Sequence, residues 1–302
     1  MANPYAAHDA FVAPGRRAPE AWRVALMIVC FAAVFVTSPS VFALLLPTES
    51  AVEAFQEGTT AFGTLAQFFF FGIAAGGLVV LLRLVHGRGF WSLIGDQQLA
   101  LRHLILVTWG VTLWLLLLQV LPPWINPDDL AETRNLAMWV LLIPVTLVAL
   151  LIQVGTEELF FRGYLQQQFA VLNPSPMAWM IMPSVLFGML HFLNGQGAAD
   201  GTLWAIWAGV LGVACADLTA RTGTLGAAVG LHLANNAFAL LIVAIEGWPA
   251  SGVALFLYPY EDPETYAQGF EALLDPVAVL QLFGMLTTVL IMWLAARIAL
   301  RV

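Results

Sequence analysis

In "EELFFR", Glu157, Glu158 and Arg162 follow about twenty almost uniformly apolar residues, "LAMWVLLIPVTLVALLIQVG". Charged groups inside hydrocarbon are costly, and they usually face a bundle interior or a water-filled cavity. Polar residues recur in two later apolar runs: His191 in "FGMLH", and His232 with Asn236 in "HLANN". Spacing separates the two glutamates. Glu158 and Arg162 lie four apart on a helix and can pair. Glu157 is rotated from them by about 100° and is left to face a cavity. A partly desolvated carboxylate without a counter-ion suits general-base work near neutral pH. Each feature also has a structural reading. The charges fit a helix leaving the membrane, and His232 with Asn236 fits interhelical hydrogen-bonding glue. His191 fits a satisfied core histidine, and Phe187, one turn before it, fits packing. The combination argues for chemistry. Of five histidines only His191 and His232 lie inside apolar spans, His103 standing at the first residue of one, and both fall near the depth of the acidic pair.

That depth follows from the helices that must carry these residues. Good helix formers continue from Glu157 to about Val171, and the first turn signal is "NPSP" at 173–176. Glu157 and His191 each lie about 22–24 Å along their helices from this shared turn, at 1.5 Å per residue. An antiparallel hairpin therefore sets them at similar height. A second hairpin turns at "RTGT", 221–224, and places His232 roughly 13 Å beyond it, with Asn236 one turn further on the same face. The polar "RGYLQQQ" lets the first hairpin protrude by the difference, so the side chains meet in one cavity opening to the cytoplasmic side.

The rest of the chain supplies a membrane setting. It has 302 residues, 61% hydrophobic and only 10% charged, with a mean hydropathy of +0.86. A soluble domain carries roughly 25% charged residues. Apolar runs near twenty residues predict an all-α, polytopic transmembrane bundle of about eight spans, at 24–46, 61–85, 103–122, 137–171, 177–194, 203–220, 224–245 and 277–299. Porin-like alternation is absent. All eleven basic residues are arginine, and ten of them fall on one side of these spans. Only Arg134 shares the other side with the acidic loops, which include six acids between Glu246 and Asp275. By the positive-inside rule both termini are cytoplasmic. No basic nucleic-acid footprint is present. Cys30 and Cys215 lie in apolar runs and read as small core residues, not a disulfide framework. Residues 1–23 read as a cytoplasmic tail, 88–103 as an amphipathic interfacial segment, and 246–276 as a loop carrying a short amphipathic helix with turns. His8, His86 and His103 read as surface residues, and Asp217 with Arg221 as an interfacial pair. The chain is read as a multi-pass protein of a bacterial inner membrane, in contact with its lipids.

At the motif residues the sequence resembles the CPBP intramembrane proteases, also called the CAAX-protease or bacteriocin-processing family. That family's pattern is E-E-x-x-x-R, then F-x-x-x-H, then H-x-x-x-N. Here these are Glu157, Glu158 and Arg162; Phe187 and His191; and His232 and Asn236, in order on separate predicted helices. The resemblance implies a catalytic core of four spans at 137–246, three preceding spans at 24–136, and an extracytoplasmic loop with a last helix at 247–302. It implies an endopeptidase acting on a membrane-associated peptide or protein. Glu157 would be the base, oriented with His191 on a water, while His232 and Asn236 donate to the oxyanion. Glu158, Arg162 and Phe187 would support them. No cofactor is expected. The alternative within the family is zinc held by Glu157, His191 and His232, which are plausible ligand types, although H-E-x-x-H is absent. Two other readings are a proton-coupled transporter, which would favour inverted repeats, and a non-catalytic immunity-type binding protein.

Overall fold

Long runs of Leu, Val, Ala and Phe without turn residues fold as helices, and these pack as an all-α bundle. The computed structural model describes residues 3–122, 124–266 and 268–302. Met1 and Ala2 of the expected tail, Pro123, and Ala267 of the long loop lie outside the described residues. After α1 (Ala6–Val12) come α2 (Ala21–Ala43), α3 (Glu49–Glu57), α4 (Ala61–His86), α5 (Gln97–Leu118), α6 (Leu136–Leu172), α7 (Met177–Asn194), α8 (Ala198–Thr222), α9 (Gly226–Ile242) and α10 (Pro276–Leu300). Seven of them, α2, α4 to α8 and α10, are long and apolar enough to cross a membrane.

The eighth expected span falls short. Helix α9 has 17 residues, about 26 Å of rise, against roughly 30 Å of hydrocarbon. It stops because "VAI" leaves the helix as a strand, β2 (Val243–Ile245), which pairs in parallel with β3 (Phe256–Tyr258). β3 also pairs antiparallel with β1 (Glu132–Thr133). A short helix suffices here because α9 packs against α5, α6 and α8, and residues 226–234 are wholly buried. The same strands correct the reading of 246–276. That segment holds β3 and short 3₁₀ turns instead of an amphipathic helix. Helix α5 begins at Gln97 because Asp96 caps it, its side chain accepting from Leu99 N at 2.9 Å. The expected interfacial segment 88–103 is therefore divided between a 3₁₀ turn, Phe90–Leu93, and the start of α5.

The N-terminal residues are not a loose tail. Helix α1 lies against α8 and the end of α6, with His8, Phe11 and Val12 buried. The His8 ring meets Trp179 at 4.2 Å between centroids, and Gln166 Nε2 donates to His8 Nε2 at 3.2 Å. The Tyr5 hydroxyl donates to Asp217 at 2.7 Å. Asp217 also accepts from Arg221 at 2.7 Å and from Trp293 of α10 at 2.9 Å. His8 and His86 are thus interior residues, contrary to the surface reading, and His103 is half-buried and hydrogen-bonded to Thr224.

Burial lowers His8 from its ordinary value of 6.5 to about 4, opposed only weakly by Asp9. Between those values the detached segment binds a proton that the docked segment does not. Docking is therefore full above about pH 6.5 and weakens as pH falls toward 4. Hydrogen exchange at Ala6–Val12, corrected for intrinsic rates, should lose protection across that window. His8→Gln should flatten the dependence, and an unchanged slope in that variant would show another group to be responsible.

Candidate active site

The site is built on α6. A π-helical turn, Leu159–Gln166, begins directly after Glu158; such insertions often mark functional positions. Within it Arg162 Nη1 donates to Glu158 Oε1 at 2.8 Å, and both side chains are fully buried. Gly212 of α8 leaves room for this guanidinium, since a Cβ there would stand 2.8 Å from Arg162 Nη2. Breaking such a buried pair costs far more than an exposed one, because the remaining charge keeps its full desolvation penalty.

Glu158 has a second partner. His232 Nδ1, from α9, lies 2.8 Å from the same Oε1. A carboxylate accepts, so His232 donates from Nδ1, and this fixes which nitrogen faces away. That nitrogen, Nε2, lies 3.7 Å from Glu157 Oε2. The distance exceeds a direct hydrogen bond, and Glu157 Oε2 is buried without a hydrogen-bond partner among the described residues. Glu157 is the more open of the two acids, its side chain 15% exposed. Arg162, Glu158, His232 and Glu157 thus form a line from the buried interior to a partly open carboxylate.

The other expected residues join this line indirectly. His191 donates from Nδ1 to the Phe187 carbonyl at 2.9 Å, which leaves its Nε2 free to accept. The Phe187 ring stands 4.4 Å from His191 and 5.7 Å, edge-on, from His232 between centroids. It also lies under Arg162, 4.5 Å from the guanidinium carbon. Phe187 therefore packs against both imidazoles and against the guanidinium of the buried pair. Asn236 reaches the site through a residue that the sequence reading missed. Its Nδ2 donates to Gln153 Oε1 at 3.1 Å, and Gln153, one turn before Glu157, interacts with that carboxylate. Asn235 Nδ2 donates in turn to Asn236 Oδ1 at 3.0 Å. The available signal was slight: Gln153 is the one amide in the run Leu136–Thr156.

Among the described residues, no three His, Cys, Asp or Glu side chains gather as a metal-holding group. As they are placed, Glu157, His191 and His232 are not gathered around one point as three ligands of a zinc ion would be. On another side of α6 an apolar cavity of about 460 Å³ runs along Gly72, Leu104, Ile152, Thr156, Leu159 and Val229. None of the side chains named above as catalytic lines it.

The sequence profile of the Rce1-like family, described as type II CAAX prenyl endopeptidase Rce1-like, matches residues 139–238. This window contains every motif residue from Glu157 to Asn236. The chain is 34% identical over 124 residues to the uncharacterized protein YyaK of Bacillus subtilis (strain 168), a match covering 39% of this chain and 40% of that protein. No solved structure shows a significant match.

Proposed function

We propose that this Rce1-like domain, carried by residues 139–238 of a multi-pass membrane protein, is an intramembrane endopeptidase whose bundle turns its arginine-rich end to the cytoplasm. The supporting observation is the line just described. A carboxylate oxygen without a partner faces an imidazole nitrogen 3.7 Å away, and that imidazole is held from behind by a fully buried glutamate–arginine pair.

In this reading Glu157 takes a proton from a water, and the hydroxide oxygen bonds to the carbonyl carbon of the scissile peptide. The carbonyl π pair moves to its oxygen. His232 Nε2–H and an N–H of Asn236 donate to that oxyanion. Because His232 already gives its Nδ1–H to Glu158, donation from Nε2 requires the imidazolium, and Glu158 is its counter-ion. His191 Nε2 accepts from the remaining hydrogen of the water and aims its lone pair. When the intermediate collapses, the C–N bond breaks and Glu157 returns its proton to the amine. The products are a carboxylic acid, which then gives its proton to solvent, and a free amine. The description of the matched family points to prenylated C-terminal peptides, and the apolar cavity beside α6 suits a hydrocarbon chain.

The test is hydrolysis of a prenylated C-terminal peptide by purified protein in liposomes, read by mass spectrometry with and without a strong chelator. Cleavage at an internal bond that survives chelation is expected. Activity lost on chelation and restored by zinc alone would overturn the metal-free mechanism, and no cleavage of any membrane-anchored peptide would overturn the endopeptidase.

A further inference from the structure

The amides beside the site form a chain with a direction. Asn235 Nδ2–H donates to Asn236 Oδ1, and Asn236 Nδ2–H donates to Gln153 Oε1. Gln153 then meets the Glu157 carboxylate. The two ends of an amide are not interchangeable: the oxygen accepts and the nitrogen donates. With Oε1 taken by Asn236, Gln153 has only its NH₂ to turn toward Glu157, and a carboxylate answers as a pure acceptor when ionised. Gln153 is itself only 7% exposed. An amide in an apolar run is costly unless its hydrogen bonds are made, so its orientation is set by these partners and not by solvent.

Building on the endopeptidase reading, we infer that Gln153 is a positioning residue, orienting both the base and the oxyanion donor of the reaction. Two consequences follow from the direction of the chain. The Asn236 oxygen is occupied by Asn235, so Asn236 cannot turn that oxygen on the developing oxyanion, and its second N–H remains for the substrate. Gln153 keeps its NH₂ turned toward the Glu157 carboxylate, whose Oε2, the atom without a partner, is left for the water. Gln153 touches neither water nor substrate in this arrangement. It acts through Asn236 and Glu157.

The experiment compares kcat, KM and thermal midpoint on the prenylated peptide for the full-length protein, Gln153→Met, Gln153→Glu, and each with Asn236→Ala. Gln153→Met keeps the shape and removes both the acceptor of Asn236 and the NH₂ turned toward Glu157. It should lower kcat about 10–100-fold, with KM within about 2-fold, since it disturbs groups that act on the transition state. Gln153→Glu keeps an acceptor for Asn236 but points a second carboxylate at Glu157, and kcat should fall further. In the Asn236→Ala background, Gln153→Met should cost less than about 3-fold more, because coupled residues are not additive. A normal kcat in Gln153→Met, or losses fully additive with Asn236→Ala, would overturn the positioning role. If Gln153→Met does not fold, the isosteric Gln153→Glu carries the same comparison. The two ideas fail separately. Full activity in Glu157→Gln removes the endopeptidase mechanism itself, whereas an inactive Glu157→Gln beside a fully active Gln153→Met removes only this role.

Discussion

Glu157→Gln leaves a folded protein that no longer cuts its substrate. The expected loss in kcat is about 10²–10⁴-fold, the range that a positioned general base contributes. Stability should change little. Glu157 Oε2 has no hydrogen-bond partner to lose, and the amide is the same size. The amide can turn its oxygen toward His232 Nε2 across the 3.7 Å gap, as an acceptor in place of the carboxylate. The measurement is initial rate against thermal midpoint for the same preparation. A variant that keeps wild-type turnover would remove Glu157 from the chemistry. A variant that is inactive but also unfolded would leave the rate uninterpretable, so Glu157→Asp is included. It keeps the charge, retracts it by one methylene, and should be folded and slow.

Replacing Glu158 has a different signature, with large effects on both stability and rate. Glu158 Oε1 is shared by Arg162 and His232, and the carboxylate and the guanidinium are fully buried. Glu158→Leu strands Arg162 in the interior, at a cost of about 3–5 kcal/mol. The double variant Glu158→Leu, Arg162→Met should recover most of that stability, because replacing a buried ion pair with apolar residues of similar volume is often nearly neutral. It should not recover activity, since His232 still lacks its acceptor. Glu158→Gln keeps the shape and removes the negative charge, and a fall in kcat of about 10–100-fold is expected, as for other residues that orient a catalytic or metal-bound histidine. Thermal midpoints and rates for the four proteins decide this. If the double variant is stable and active, Glu158 does no more than neutralise Arg162.

The sequence carried some of this and not the rest, for physical reasons that differ by residue. The Glu158–Arg162 pair was legible because a four-residue spacing on a helix has one geometric meaning. The hairpins were legible because "NPSP" and "RTGT" interrupt long apolar runs. The second partner of Glu158 was not legible. Helix geometry says which face a residue occupies, but which histidine enters that face depends on tilt, and tilt is set by packing. Gln153 was invisible for a related reason, since a single amide in an apolar run reads as noise until its partner on another helix is known. The early end of α9 escaped because strands of two or three residues leave no alternating pattern to detect. The burial of His8 escaped because "YAAHDAFV" is too short and mixed for a hydropathy average, although one side of it is apolar, and that of His86 because its partner, the Tyr164 hydroxyl, lies 78 residues away. The domain boundaries drawn from the motifs stay a proposal, with the matched window of 139–238 lying inside the proposed core.

The fastening of both chain ends at Asp217 has a consequence for how the protein is made. Tyr5 and its acceptor Asp217 are 212 residues apart, and Trp293 arrives a further 76 residues later. At ribosomal rates of about 5–20 residues per second, Asp217 emerges roughly 10–40 s after Tyr5. Helix α1 therefore leaves the ribosome well before its seat on α8 exists. Through that interval Tyr5 lacks its acceptor and α1 has only the end of α6 to lie against, and a chain released before residue 217 never completes the seat. Such fragments should be recognised by quality-control proteases at their N-terminus, whereas chains truncated after Trp293 should escape.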